Sequence, residues 1–192
     1  MKEVSRFVIF IPHRDALKPL EEYRSGLFAA GFPGAYSFPS AAPIALVSRP
    51  LDRQELKELA WNIRGLTAKT DGKIQSAGTV PAARKLTGRL PDTSPWLMGI
   101  PLELPVEEAL FPRSAREKLL DVFSPPALCA ALVYPGEENR AAAEGPPLSF
   151  RAACLANIAI RPLPGGDLRY SFEWKIGPPL WLPKYPRPGG LP

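Results

Sequence analysis

The chain has 192 residues, 45% hydrophobic and 22% charged, with 24 Lys and Arg against 19 Asp and Glu for a net charge of +5. This composition excludes wholesale disorder and fits one domain, or two small lobes sharing a core, that buries about two thirds of its surface. With 25 prolines, long uninterrupted helices are not expected, and the single histidine, His13, excludes any mechanism that needs two.

The apolar run Phe7 to Ile11 is too short for a signal h-region and lacks a small-residue cleavage site, and no stretch reaches the roughly 18 apolar residues of a membrane span. A cytoplasmic protein without membrane attachment is expected. Phe7 to Ile11 is apolar at every position and ends at Pro12, the pattern of a strand covered on both faces. A helix should follow, starting between Asp15 and Pro19, since proline is tolerated in a first turn, and running toward Gly31 with Leu20, Tyr23, Leu27 and Ala30 on one face. Ala42 to Ser48 reads as a second apolar strand.

Asp52 with Glu55 forms a capping box, and Leu56, Leu59, Ala60, Ile63 and Leu66 follow at helical spacing. Lys73 to Val80 looks extended, residues 81–95 read as a loop, and Trp96 to Leu104 alternates as a strand that Pro101 assigns to an edge or a bulge. Ser114 with Glu117 reads as a second capping box, opening a short helix that ends before Pro125. Leu128 to Tyr134 and Phe150 to Arg161 read as strands, separated by a Gly, Pro, Ala and Glu-rich surface loop. Arg169 to Ile176 alternates as a half-buried antiparallel strand. The resulting fold class is α+β, with mostly antiparallel sheets and flanking helices, because parallel βαβ alternation is absent.

Two segments resemble one another: Pro43-Ile-Ala-Leu-Val-Ser-Arg-Pro-Leu51 and Asn157-Ile-Ala-Ile-Arg-Pro-Leu163 share an Ile-Ala-aliphatic core and close on Arg-Pro-Leu. With the opening strand Arg6-Phe-Val-Ile-Phe-Ile-Pro12, the helix from Asp52 and the final strand running into Leu180-Trp181-Leu182-Pro183, this layout resembles the two-histidine phosphoesterases. That superfamily includes the bacterial 2′-5′ RNA ligases and cyclic phosphodiesterases. The resemblance implies a two-lobed, pseudo-symmetric domain over residues 1–184, followed by a Pro/Gly-rich tail, 185–192. In that family each lobe supplies one strand patterned aliphatic-His-aliphatic-Thr/Ser-aliphatic; the histidines move protons and the hydroxyls hold the phosphate. Here Pro43 and Asn157 stand at the histidine positions, and Ala45 and Ala159 at the hydroxyl positions. None of the four titrates near neutrality, so the family's chemistry is not possible and no catalytic residue is assigned there.

Strand parity places Arg151, Leu155, Ala159 and Arg161 on the same face as Asn157, and Ala45, Val47 and Arg49 on the same face as Pro43. A former cleft holding Arg161, Asn157, Arg49 and Arg151 would bind a nucleotide, an RNA end or another phosphate-containing ligand without cleaving it. The alternatives are a hydrolase using His13, with Asp15 as its orienting partner, or a metal elsewhere, and a protein-interaction module. No cofactor or metal site is expected: Cys129 and Cys154 lie in apolar segments without ligand spacing, and no Gly-x-Ser-x-Gly or phosphate loop occurs. Neither ligand identity nor a protein partner is specified. Arg84, Lys85 and Arg89 beside Trp96 read as a solvated basic loop, and the carboxylate pairs Glu21-Glu22, Glu107-Glu108 and Glu137-Glu138 as solvated surface. In the tail, Trp181 and Leu182 are too apolar to leave in water, so residues 178–183 are expected to pack on the domain.

Overall fold

The apolar run at the amino terminus becomes the middle of a sheet. The computed structural model describes residues 4–12, 14–29, 39–63, 67–70, 96–101, 106–124, 126–133, 148–162 and 172–182. Its elements run β1 (Ser5–Pro12), α1 (Arg14–Ala29), β2 (Ala42–Val47), α2 (Arg53–Ile63), β3 (Thr67–Thr70), β4 (Trp96–Pro101), a 3-10 turn (Glu108–Leu110) and α3 (Arg113–Arg116). They continue with β5 (Leu119–Val122), β6 (Ala127–Val133), β7 (Leu148–Pro162), β8 (Phe172–Ile176) and β9 (Leu180–Trp181). Seven strands form one sheet in the order β3-β7-β1-β2-β5, with β8 and β9 also paired to β7, and β4 with β6 forms a second sheet. Every pairing is antiparallel, so the α+β class stands.

β1 is apolar on both faces because both faces are covered. Val8 and Phe10 enter a core with Leu20 of α1, Leu56, Leu59, Ala60 and Ile63 of α2, and Leu155 of β7. Phe7 and Ile9 enter a second core with Ala156, Ile158 and Ile160 of β7 and with Phe123, whose ring centroid lies 6.2 Å from that of Phe7. The α2 stripe follows from the capping box. The Glu55 and Gln54 backbone N–H groups donate to Asp52 Oδ1 at 2.9 and 2.8 Å, and the Asp52 N–H donates to Glu55 Oε2 at 2.7 Å.

Four elements differ from the sequence reading. α1 begins at Arg14, so Pro19 falls in its second turn rather than its first; packing of Leu20 and Tyr23 against the main core keeps the helix despite the missing N–H. The second capping box does not form: α3 is a single turn capped by Pro112 without a side-chain bond, and the chain enters β5 instead of a longer helix. Ser114 lies inside this turn and Glu117, ion-paired with Arg49, is its C-cap. β3 was not anticipated; Thr67 to Thr70 pairs with the start of β7. At β9, Leu180 and Leu182 pack on the main core, whereas Trp181 is 70% exposed. Strand alternation turns the ring outward when its two neighbours turn in. His13, Leu66, Lys73 to Val80, the loop 81–95, Tyr134, the loop after β6 and residues 183–192 lie outside the described residues.

Candidate functional site

The repeated segments meet in the large sheet, one on each side of β1. Val8 is opposite Ala45 on β2 and opposite Asn157 on β7, and Arg6 is opposite Val47 and Ala159 in the same way. Both segments run antiparallel to β1, so they are parallel to each other with one strand between.

A register shift between Val8 and Ile9 breaks the expected parity of β2. Ile44 and Ala45 both enter the main core, as two consecutive residues do at a bulge. Pro43 is therefore opposite Ile9, whose side chain lies in the second core, and it does not share a face with Ala45, Val47 or Arg49. Pro43 and Asn157 thus project to opposite faces of the sheet. The Asn157 face is also not open along its length, because Leu155 on that face belongs to the core beneath α2.

Asn157 has a mechanical task. Its Nδ2 donates to the Leu51 carbonyl at 2.8 Å, and the Leu51 N–H donates to its Oδ1 at 3.0 Å. The carboxamide pairs with the Leu51 backbone as an adjacent strand would, because it offers a donor and an acceptor side by side. Two further ties hold the same connection between β2 and α2. The Ser48 N–H donates to the Lys118 carbonyl at 2.8 Å. Lys118 Nζ donates to Glu55 Oε1 and Oε2 at 2.6 and 2.5 Å, with both side chains at least nine-tenths buried. A charge pair this dry is kept because losing either partner strands the other.

Beyond Asn157 the face turns cationic. Across one row stand Val47, Arg6, Ala159 and Lys175; in the next, Arg161 is opposite Glu173. Ala159 and Arg6 are half-buried and Lys175 is exposed. Arg161 is ion-paired with Glu173, and Arg49 with Glu117. Arg49 and Arg161 each follow by two residues a partner of Arg6, so they flank it from either side. Arg151 is not part of this group. It lies opposite Thr67, ten residues from Arg161 along β7, a separation of about 33 Å in an extended strand.

The sequence reading put Pro43 with Ala45, Val47 and Arg49, and Asn157 with Arg151, Ala159 and Arg161, in one cleft; the register keeps Ala45, Asn157 and Ala159 on one face with Arg49 and Arg161 beyond them, and removes Pro43 and Arg151. It missed Arg6 and Lys175. The signal was available: Arg6 shares parity with Val8, and Lys175 sits on the polar side of the alternating strand β8. Among the described residues no group of three His, Cys, Asp or Glu is placed to hold a metal ion, and no helix is long and apolar enough to cross a membrane. Cys154 is a buried free thiol whose pKa burial raises, which leaves it protonated and unreactive. Comparison with family models, with curated proteins and with solved structures returns no match.

Proposed function

We infer that the chain is a non-catalytic protein of two-histidine phosphoesterase-like layout that holds a phosphate-containing ligand at the cationic end of its large sheet. One contrast carries the reading. The positions that would do the chemistry are Pro43, Ala45, Asn157 and Ala159, none of which moves a proton near neutrality, while cations gather in the row of Ala159 and the row beyond it. Asn157 is fully engaged by Leu51, so it anchors α2 and does not meet the ligand. Arg49 and Arg161 frame the site, and each neutralises a glutamate, Glu117 and Glu173, that would otherwise repel an anion there.

The test is an assay of the purified full chain on 2′,3′-cyclic phosphates and 2′-5′-linked oligonucleotides, with and without divalent metals. The expected result is no turnover, together with weak nucleotide binding that declines with salt and that Arg161→Ala weakens without unfolding the protein. Turnover abolished by His13→Ala would replace this reading with that of a hydrolase.

A further inference from the structure

The cationic row has a finer geometry than a general attraction for anions requires. Arg6 and Lys175 stand on either side of Ala159, each directly across a strand pairing from it. Directly paired residues project to the same face, so the two cations rise on one side of the sheet, two strand spacings or about 10 Å apart at the backbone. Both side chains are long enough to lean over the methyl group between them. Ala159 is half-buried and has no side chain beyond that methyl, so it leaves an open floor.

Charge bookkeeping separates these two cations from their neighbours. Arg161 is occupied by Glu173 and Arg49 by Glu117, whereas neither Arg6 nor Lys175 has a carboxylate partner among the described residues. Two positive charges without a carboxylate partner among the described residues, over a small floor, suit a ligand group with two negative charges. A phosphomonoester carries about −1.5 to −2 near neutrality, and an internal phosphodiester carries one. The guanidinium fork holds two oxygens in one plane, and an ammonium serves a third as a point charge.

Resting on the reading of this face as a phosphate-binding one, we propose that Arg6 and Lys175 converge over Ala159 to bind a terminal phosphomonoester, in preference to an internal phosphodiester. Arg161 and Arg49, held by their glutamates, bound the site on two sides and keep Glu173 and Glu117 neutralised. Because the ligand must be dianionic, affinity falls below about pH 6 as its phosphate takes up a second proton.

Titration calorimetry on the full chain at low salt tests this with four probes: AMP, adenosine, a 5′-phosphorylated tetranucleotide and the same tetranucleotide without its terminal phosphate. The expected result is binding of one or both phosphorylated probes, at least about tenfold tighter than their unphosphorylated counterparts. AMP alone identifies a free nucleotide as the source, and the tetranucleotide alone identifies a strand end. Arg6→Gln and Lys175→Gln should each weaken that binding about tenfold or more without moving the melting temperature. Ala159→Leu, which fills the floor and leaves every charge in place, should do the same. If Arg6→Gln proves unstable, Lys175→Gln on the exposed strand gives the result alone. Equal binding of phosphorylated and unphosphorylated probes, or undiminished binding in folded Lys175→Gln and Ala159→Leu, overturns the site and leaves the broader reading standing. No binding of any phosphorylated probe overturns both.

Discussion

Replacing Asn157 by alanine should destabilise the protein by an amount that its two bonds to Leu51 define. The variant leaves the Leu51 N–H and carbonyl without the partners they have at 3.0 and 2.8 Å. A polar group left dry costs about 1–3 kcal/mol, and Asn157 is half-buried, so water recovers part of the loss. The expected change is therefore about 2–4 kcal/mol. With a urea dependence of about 1–3 kcal/mol per molar, the unfolding midpoint should drop by roughly 1–2 M. Asn157→Asp separates a lost bond from a lost shape. Its carboxylate still accepts from the Leu51 N–H, but it sets a charged oxygen against the Leu51 carbonyl where the amide donates. At neutral pH it should be destabilised at least as much as the alanine variant, and it should recover, relative to wild type, below about pH 4, where a protonated carboxyl donates again. A change below about 0.5 kcal/mol in Asn157→Ala, within the range of ordinary surface substitutions, would refute the clamp.

Breaking the buried pair by Lys118→Met alone should cost about 3–5 kcal/mol in chemical denaturation, because Glu55 is left charged and dry; Glu55→Leu with Lys118→Met should cost less than that single change. Burial pushes the Tyr23 hydroxyl up from 10.0 to about 12, so the folded state keeps a proton that the unfolded chain releases. Wild-type stability relative to Tyr23→Phe should therefore be level below pH 10 and fall as the pH rises toward 12, which denaturation of both proteins across that interval measures. Deleting residues 178–192 removes Leu180 and Leu182 from the main core and should lower the melting temperature, whereas Trp181→Ser, at a side chain 70% exposed, should leave it unchanged.

Much of the fold was legible because its signals are local. The unbroken apolar run of β1, the Asp52–Glu55 box and the 3.6-residue stripe of α2 each specify one element without help from the rest of the chain. Ser114 and Glu117 had the same box spacing and failed, because the helix starts one residue earlier, at Arg113, with Pro112 as its N-cap, and Glu117 falls at its C-cap. The candidate site was legible only in part for a related reason. Parity along a strand is reliable until a bulge intervenes, and the bulge at Ile44 moved Pro43 to the other face. Asn157 looked like a cleft residue because its parity was right, but its partner is the Leu51 backbone, 106 residues away in sequence. The Arg6–Ala159–Lys175 row needs three strands in register, and no single segment encodes that.

The most direct test of the account is one phosphorus NMR titration of the full chain with 2′,3′-cyclic AMP and a ring-opened adenosine monophosphate in the same tube. The monophosphate resonance should broaden or shift as protein is added, added salt should reverse the effect, and the cyclic resonance should keep its full intensity. Loss of the cyclic signal in proportion to protein, or no response from either resonance at low salt, would contradict the account.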